Sequence, residues 1–166
     1  DVLQVSRLEA KSQTLALSKQ SLQVIVDHVL NDAKFEAKQN NKELIVNGAL
    51  TADIKCDETL IASALENVLR NAIKYAEHSI SIGLIESDAI YITICDDGKG
   101  VEESNLARLC EPFFRQEHSR DRSTGGTGLG LAIAKNAISV HDGTLTLENQ
   151  EHGGLCVNIR LPFKSE

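Results

Sequence analysis

The sequence predicts an α/β sandwich, in which helices pack on one face of a single layer of sheet. Two observations support this prediction. Segments with helical periodicity alternate with pairs of strand-like segments along the 166-residue chain, which has the length of one ordinary domain. Hydrophobic residues make up 42% of the chain, while Trp and Met are absent, so the core must consist mostly of Leu, Ile, Val and Ala.

Three segments have the spacing of amphipathic helices. The first runs over residues 18–37, with apolar residues at intervals of three and four. The strongest is "ETLIASALENVLRNAIKYAE", residues 58–77, which follows Asp57 as a candidate N-cap. The third spans Leu129 to Val140, and Gly143 suits its C-terminal end.

Six segments are typical of strands, because they alternate apolar and polar residues or form short apolar runs. They are residues 42–50, 54–56, 79–85, 89–97, 144–149 and 155–163. Residues 101–127 are irregular, with one short helical stretch. Residues 1–10, "DVLQVSRLEA", have the spacing of the end of a longer helix, and residues 11–17 are interpreted as a linker. The main domain is therefore expected over residues 18–166.

Charge and cysteine content restrict the function classes. A net charge of −7 disfavours a nucleic-acid-binding protein, so any bound anion must be met by a few local cations and backbone amides. No apolar run long enough to span a membrane is present, and this piece is expected to be soluble. The four cysteines are scattered without metal-ligand spacing: Cys56, Cys95, Cys110 and Cys156. We expect free thiols in a reducing, cytosolic environment, with Cys56, Cys95 and Cys156 behaving as small hydrophobes in strands.

Two asparagines in the longest predicted helix require an explanation. Asn67 and Asn71 are four residues apart, so both side chains project from one face of the helix. Asn is a poor helix former because its side chain competes for backbone hydrogen bonds. Either each amide bonds a neighbouring loop, or the two form a ligand site together with Glu66, Lys74 and Tyr75.

Two glycine-containing segments follow. "DDGKG", residues 96–100, ends a hydrophobic strand and taken alone is typical of a β-turn. "GGTGLGLAIAK", residues 125–135, places four glycines within six residues before a helix, which indicates backbone that comes close to a ligand. The dinucleotide-binding and phosphate-loop patterns both fail at Leu131. What remains is an approachable helix N-terminus, whose free N–H groups favour anions.

Taken together and in this order, "ENVLRNAIKYA", "DDGKG", "EPFFR" and "GGTGLGLAIAK" resemble the N, G1, F and G2 boxes of bacterial sensor histidine kinases. The resemblance covers residues 18–163. Within the family, "FEAKQ", "ALENVLRNAIKY" and "RDRSTGGTGLGLAI" are most similar to an envelope-stress kinase of Gram-negative bacteria. The resemblance implies the Bergerat-type ATP-binding sandwich of gyrase-type topoisomerases and mismatch-repair ATPases. That fold has a mixed, mostly antiparallel sheet of about five strands, with three main helices on one face.

The resemblance also implies roles for the helix residues. Asn71 would bind Mg²⁺ that bridges the phosphates of ATP, and Asn67 would assist beside it. Lys74 would reach a phosphate, and Tyr75 would pack on or near the nucleotide.

The glycine-containing segments take the remaining implied roles. Asp96 would accept a hydrogen bond from the adenine amino group, and Gly98 and Gly100 would let the chain pass close to the base. Glycine amides of the second cluster would bind phosphate, while its leucines seat the helix in the core. The ATP-binding positions of this cluster are Gly126, Thr127, Gly128, Leu129, Gly130 and Leu131.

Residues 101–127 would form a mobile lid over the nucleotide, with Phe113 and Phe114 at its base. The lid also holds the cations that an acidic protein needs for a triphosphate. These cations, which complete the expected catalytic set with the two asparagines, are Arg115, Arg120 and Arg122. The alternative for the arginines is a solvated charged loop, and Lys99 is expected at the surface.

One departure from the hydrolytic relatives of this fold favours a kinase over an ATPase. Those relatives carry a glutamate as general base four residues before the metal-binding Asn, whereas this chain has Asn67, which cannot take a proton at neutral pH. Glu66 is adjacent, but one residue along a helix turns the side chain by about 100°. Two alternatives remain open: a hydrolytic ATPase that uses Glu66 or another base, and a nucleotide-gated interaction module without phosphotransfer.

The phosphoacceptor is absent from the sequence. Sensor kinases phosphorylate a histidine of a dimerisation domain, usually within H-[ED]-x-[RK]-[ST]-P, and none of the five histidines here has that context. The resemblance therefore implies a catalytic domain that uses ATP and Mg²⁺ and acts with a separate dimerisation domain and a response regulator. It further implies a monomeric cytoplasmic fragment of a homodimeric kinase of the bacterial inner membrane.

Overall fold

The computed structural model describes residues 15–112 and 129–163. The first half of the chain contains β1 (Ser18–Ser21), α1 (Leu22–Gln39), β2 (Glu43–Gly48), β3 (Asp53–Cys56) and α2 (Glu58–Tyr75). The second half contains β4 (Ser79–Glu86), β5 (Ile90–Asp96), α3 (Glu103–Leu106), α4 (Gly130–Ser139), β6 (Thr144–Asn149) and β7 (Leu155–Leu161). Among these described residues, no helix is long and apolar enough to cross a membrane.

The main sheet has five strands in the order β2-β4-β5-β7-β6. Only β2 and β4 pair in parallel, and the other three pairs are antiparallel. The predicted mixed, mostly antiparallel sheet is thus confirmed.

Helix α2 is the centre of the packing. It contacts α1 and α4 on its two sides and lies over β5. Its apolar residues from Ala64 to Ile73 are buried, as are Ile90, Ile92 and Ile94 of β5. The Asp57 carboxylate accepts a hydrogen bond from the backbone N–H of Leu60 at 3.2 Å, as an N-cap residue does. This confirms the sequence prediction for the start of the helix.

The first predicted helix starts later than the sequence indicated. Residues Ser18–Ser21 form β1, which pairs antiparallel with β3 in a separate two-stranded sheet. The helix then begins at Leu22, and the Ser21 hydroxyl accepts a hydrogen bond from the N–H of Val24 at 3.3 Å. The expectation of a single sheet was therefore incomplete, because a polar four-residue strand carries no periodic signal.

The prediction of free thiols at Cys95 and Cys156 is wrong. Cys95 on β5 lies directly opposite Cys156 on β7, and the two form a disulfide across 61 residues of sequence. Cys56 and Cys110 are free cysteines. Burial raises the pKa of the Cys56 thiol to about 11, helped by the neighbouring carboxylates of Asp57 and Glu58.

The end of α4 also differs in detail from the prediction. Asp142, and not Gly143, adopts the left-handed conformation, with φ of 62°. Gly143 is required for space, because a Cβ at this position would collide with the carbonyl oxygen of Arg160 on β7. Its N–H donates to the carbonyl of Ile138 at 3.0 Å and so closes the last turn of the helix.

Candidate functional site

The C-terminal end of α2 lies against the loop that follows β5. Gly98 lies so close to Tyr75 that a Cβ on Gly98 would collide with the carbonyl oxygen of Tyr75. The side-chain ammonium of Lys74 lies 5.2 Å from the centre of the Tyr75 ring, within the range of a cation–π contact. The structure thus brings the end of the asparagine-bearing helix and the loop "DDGKG" to one place, as the sequence predicted.

The same helix contacts the N-terminus of α4 about two turns earlier. A Cβ built on Gly130, the first residue of α4, would lie 3.3 Å from Oδ1 of Asn67. The Asn67 amide nitrogen donates to the carbonyl oxygen of Ser63 at 2.8 Å, which leaves Oδ1 turned toward the α4 N-terminus. Leu129 is fully buried beside Ile133, so the leucine seats the start of the helix as expected.

Asn71 lies between these two contacts, on the same face of α2 as Asn67. Its side chain is half-buried, and no hydrogen bond to it occurs within residues 15–112 and 129–163. The amide is therefore available for a ligand. Within the described residues neither amide bonds a neighbouring loop, since Asn67 donates to its own helix.

Asp96 is a buried carboxylate at the end of β5. Its Oδ1 accepts hydrogen bonds from the N–H groups of Gly98, at 2.8 Å, and Leu155, at 3.4 Å. Among the described residues none donates to Oδ2. Burial raises the pKa of Asp96, although the two N–H donors oppose that shift. A buried carboxylate with one oxygen unpaired among the described residues is suited to accept a hydrogen bond from an N–H of a ligand.

The neighbouring Asp97 has a structural role that the sequence did not reveal. Its carboxylate accepts hydrogen bonds from three successive backbone N–H groups, those of Glu77, His78 and Ser79, at 2.8 to 3.2 Å. Partial burial raises its pKa, but these hydrogen bonds outweigh that effect and the net shift is downward. The two adjacent aspartates therefore have opposite pKa shifts, and only Asp96 is a candidate for ligand binding.

The turn between β6 and β7 lies against residues 96–100, which are called the Asp96 loop below. Gly153 and Gly154 both have positive φ, and a Cβ on Gly154 would collide with the carbonyl oxygen of Asp96. The site predicted from the sequence did not include this turn. The pair of adjacent glycines after "NQEH" was the one signal for it, since two consecutive glycines indicate a constrained turn.

The remaining predicted site residues divide into two groups. Gly100 has φ of 75° and borders the same loop, Leu131 is buried at the start of α4, and Lys99 is exposed as expected. The other group lies outside the described residues, so its predicted roles remain predictions. This group comprises Phe113, Phe114, Arg115, Arg120, Arg122, Gly126, Thr127 and Gly128.

The described part of the site consists of α2, the Asp96 loop beside its C-terminal end and the N-terminus of α4 beside Asn67. It combines an anion-favouring helix end, two amide side chains and a buried carboxylate, which together define a nucleotide-binding class of α/β sandwich. Residues 56–165 match the family model for histidine kinase-, DNA gyrase B-, and HSP90-like ATPases. Because this match covers most of the chain, the chain belongs to that family.

Curated relatives agree with this membership. The chain is 38% identical over 165 residues to the sensor histidine kinase CpxA of Escherichia coli K12, covering 98% of this chain and 36% of CpxA. It is 28% identical over 173 residues to the sensor histidine kinase WalK of Bacillus subtilis 168, covering 100% of this chain and 28% of WalK. The chain thus spans about a third of the length of these relatives. The predicted resemblance to sensor histidine kinases, and to CpxA in particular, is confirmed.

Solved structures confirm the fold. Full-length ShkA in complex with AMPPNP superposes with a TM-score of 0.84 at 23% identity, covering 99% of this chain and 35% of ShkA. The mycobacterial sensor histidine kinase MprB superposes with a TM-score of 0.77 at 25% identity, covering 87% of this chain and 97% of that structure. The predicted ATP-binding sandwich is therefore the observed architecture.

Proposed function

We propose that this chain is the ATP-binding catalytic domain of a two-component sensor histidine kinase. It binds ATP in the site between α2, the Asp96 loop and the α4 N-terminus, and donates the γ-phosphoryl group to a histidine on a dimerisation domain. The observation that carries the proposal is the double contact of α2, with Gly130 near Asn67 and Gly98 against Tyr75. We propose that the phosphates lie at the end near Gly130 and the base at the end near Gly98, and these two contacts support that arrangement.

The base end of the site fits adenine. The buried Asp96 carboxylate keeps Oδ2 unpaired among the described residues, and the adenine amino group supplies the N–H donor that it lacks. Guanine presents a carbonyl oxygen at the same position, which a carboxylate repels. Leaving a buried acceptor without its partner costs about 1–3 kcal/mol, so the pair discriminates between the two bases.

The phosphate end of the site fits Mg²⁺ bound together with a triphosphate. Among the described residues, no group of three or more His, Cys, Asp and Glu could hold a metal ion. Mg²⁺ in nucleotide sites is bound by one or two protein oxygens plus phosphates and water, and the unengaged Asn71 amide matches that donor set. When bound, Mg²⁺ would neutralise charge on the phosphates, while the α4 N-terminus and Lys74 orient them.

The chemistry around Asn67 favours transfer over hydrolysis. Its amide is fixed by the hydrogen bond to Ser63 and cannot serve as a general base on water. The γ-phosphoryl group is therefore preserved for an acceptor side chain. The lid arginines Arg115, Arg120 and Arg122 are proposed to add positive charge at the γ-phosphate.

From the relatives we further propose that this chain is one part of a longer kinase. Residues 1–10 are proposed to be the end of a dimerisation helix, with 11–17 as linker and 18–166 as the catalytic domain. The phosphoacceptor histidine lies on the dimerisation domain, and a response regulator receives the phosphoryl group. The full kinase is proposed to be a homodimer of the bacterial inner membrane in an envelope-stress pathway, with this domain in the cytoplasm.

A phosphotransfer assay tests the proposal. The chain is mixed with γ-labelled ATP, Mg²⁺ and the separately produced dimerisation domain of a CpxA-type kinase, and label is followed on protein and as free phosphate. We expect acid-labile label on the added domain. The variant Asn71→Ala should lower labelling by at least about a hundredfold, the range for loss of one electrostatic catalytic contact.

A matched control separates this loss from a general effect of changing a helix. Asn31→Ala replaces an exposed asparagine on α1, far in sequence from the site, and should leave labelling unchanged. Abundant free phosphate without labelled protein would instead support the hydrolytic ATPase, the second candidate function, and would overturn the role given to Asn67. ATP binding with neither product would support a nucleotide-gated interaction module.

A further inference from the structure

The last residue of β6, Asn149, and the turn that follows it bond the Asp96 loop and the residue after it. The Asn149 side chain accepts a hydrogen bond from the N–H of Val101, at 2.9 Å, and donates to the carbonyl oxygen of the same residue, at 2.6 Å. It therefore satisfies both backbone groups of Val101, as a neighbouring β-strand would. Its Nδ2 also lies 3.3 Å from a carboxylate oxygen of Glu103 on α3.

Further contacts from the same turn reach the loop between its two ends. The Gln150 amide donates to the carbonyl oxygen of Asp96 at 2.8 Å, and the N–H of Leu155 donates to the Asp96 carboxylate. Gly100 borders Asn149 so closely that a Cβ there would lie 2.7 Å from the Asn149 Oδ1. The loop is thus held by hydrogen bonds at Asp96 and at Val101 to residues about fifty positions later in the chain.

We propose that Asn149 is a positioning residue for the nucleotide, and that it acts by clamping Val101 at the junction between the Asp96 loop and the segment that follows it. This inference rests on the proposed function, because it takes the Asp96 loop to be the site of the adenine base. Asn149 itself does not touch the base. It fixes the exit of the loop, so that Asp96 and Gly98 keep the geometry that receives an N–H donor.

The clamp needs both the donor and the acceptor of the Asn149 amide, so a substitution that removes only the donor tests it. Asn149→Asp keeps the shape of the side chain and the acceptor for the Val101 N–H. It replaces the donor with a carboxylate oxygen that faces the Val101 carbonyl and the Glu103 carboxylate, both of which repel it. A residue needed only for packing would tolerate this isosteric change, whereas a hydrogen-bonding clamp would not. Asn149→Ala removes both hydrogen bonds without adding repulsion.

Asn158→Asp is a matched control on the same hairpin. The Asn158 amide donates to a carboxylate oxygen of Glu148 at 3.0 Å, and its Oδ1 accepts from the Thr93 hydroxyl at 3.2 Å. The substitution therefore also creates a carboxylate beside a glutamate. Asn158 has no hydrogen bond to the Asp96 loop, so it reports the effect of the charge change alone.

Three measurements on the chain and its variants decide the proposal: the Kd for ATP, the KM and kcat for phosphotransfer to an added dimerisation domain, and amide hydrogen exchange at Gly98 without nucleotide. For Asn149→Ala we expect Kd and KM to rise about tenfold, which matches the loss of one to two net hydrogen bonds, with kcat changed less than twofold. Asn149→Asp should bind ATP more weakly still. Exchange at Gly98 should be faster in both variants and unchanged in Asn158→Asp.

The outcomes separate the clamp from the proposed function. Unchanged Gly98 exchange in Asn149→Ala and Asn149→Asp overturns the clamp, whether or not ATP binds. Equal affinity of Asn149→Asp and the unsubstituted chain for ATP likewise overturns it. Absence of ATP binding by the unsubstituted chain overturns the proposed function, while the exchange measurement still decides whether Asn149 orders the loop. A KM that rises equally in Asn158→Asp would assign the effect to hairpin stability.

Discussion

The backbone of Gly98 lies against the carbonyl oxygen of Tyr75, so the loop after β5 and the C-terminus of α2 share one surface without room for a side chain. The close approach aligns the Asp96 carboxylate with the last turn of the helix that carries Asn67 and Asn71. It also explains why a glycine occurs here although φ at Gly98 is not positive. The constraint is steric and comes from the partner element.

Replacing Gly98 by alanine is therefore expected to damage both stability and nucleotide binding. The new methyl group must displace the Tyr75 backbone, and overpacking of this kind costs about 1–3 kcal/mol of the free energy of unfolding. Affinity for ATP should fall at least about tenfold because the Asp96 loop moves away from α2. Urea unfolding and calorimetric titration measure the two effects.

Gly83→Ala provides the control for this substitution. Gly83 lies in β4, and a Cβ there meets nothing within 4 Å. The substitution should be neutral or stabilise the chain by up to about 1 kcal/mol, since alanine loses less backbone entropy than glycine on folding. If Gly98→Ala unfolds at the same urea concentration as Gly83→Ala, the close approach to Tyr75 has no energetic importance.

Asp96→Asn should weaken ATP binding without lowering the stability of the fold. Burial raises the pKa of Asp96, so its ionised form is disfavoured in the folded chain, whereas asparagine keeps an Oδ1 acceptor for the N–H groups of Gly98 and Leu155. We expect the variant to be at least as stable as the unsubstituted chain at pH 7. It should bind ATP about a hundredfold more weakly, because its amide N–H faces the adenine amino group.

The pH dependence of that stability difference has a definite sign. A raised carboxylate pKa means that the folded chain holds the proton more tightly than the unfolded chain, so stability falls as pH rises from 3.8 through the folded pKa. The advantage of Asp96→Asn should thus grow over this window and stay constant above it. A difference that shrinks with rising pH would contradict the burial assigned to this carboxylate.

Asp97→Asn, in contrast to Asp96→Asn, should lower the stability of the fold at neutral pH. Hydrogen bonds from the N–H groups of His78, Ser79 and Glu77 lower the pKa of Asp97 despite its partial desolvation, so its ionised form stabilises the fold. That contribution is present above the unfolded pKa of 3.8 and is lost as pH falls through the folded pKa. We expect a loss of about 1 kcal/mol at pH 7 that disappears in acid, measured by urea unfolding at several pH values.

The accuracy of sequence-based prediction here depends on how local each signal is. The burial pattern of α2 and the bounds of β6 follow from periodicity, and both were predicted closely. The contact of Asn149 with Val101 and the pairing of Cys95 with Cys156 depend on strand register over 48 and 61 residues of sequence. No periodic pattern encodes such contacts, which is why the sequence indicated neither. The box motifs predicted the residues that we propose face the ligand, whereas the supporting hairpin was found only in the structure.

His141 connects two helices of the site through a buried imidazole that is 2% exposed. Its Nδ1 lies 2.7 Å from the carbonyl oxygen of Ala137 and donates to it, so Nε2 accepts from the N–H of Asp57 at 2.9 Å. His141→Leu leaves this N–H and this carbonyl without partners and should cost about 1–3 kcal/mol of stability. His28→Leu, on the exposed face of α1, should have no comparable effect, and equal unfolding midpoints of the two variants would refute the assignment.

The disulfide between Cys95 and Cys156 should stabilise the nucleotide-free domain. It joins the strand that ends at Asp96 to the strand that begins at Leu155, across 61 residues of sequence, and a cross-link of this kind contributes roughly 2–4 kcal/mol by restricting the unfolded chain. The double variant Cys95→Ser, Cys156→Ser should lose that amount, and a reductant should then have no further effect on it. Cys110→Ser changes a free cysteine and serves as the control.

Thiol titration in denaturant checks the disulfide directly. The chain has four cysteines, of which Cys56 and Cys110 are free, so two thiols should react without reductant and four after reduction. In the folded chain Cys56 should react slowly at pH 8, because burial raises the pKa of its thiol to about 11 and little thiolate forms. Four reactive thiols before reduction would mean that Cys95 and Cys156 are separate thiols, and the unfolding midpoint should then be insensitive to reductant.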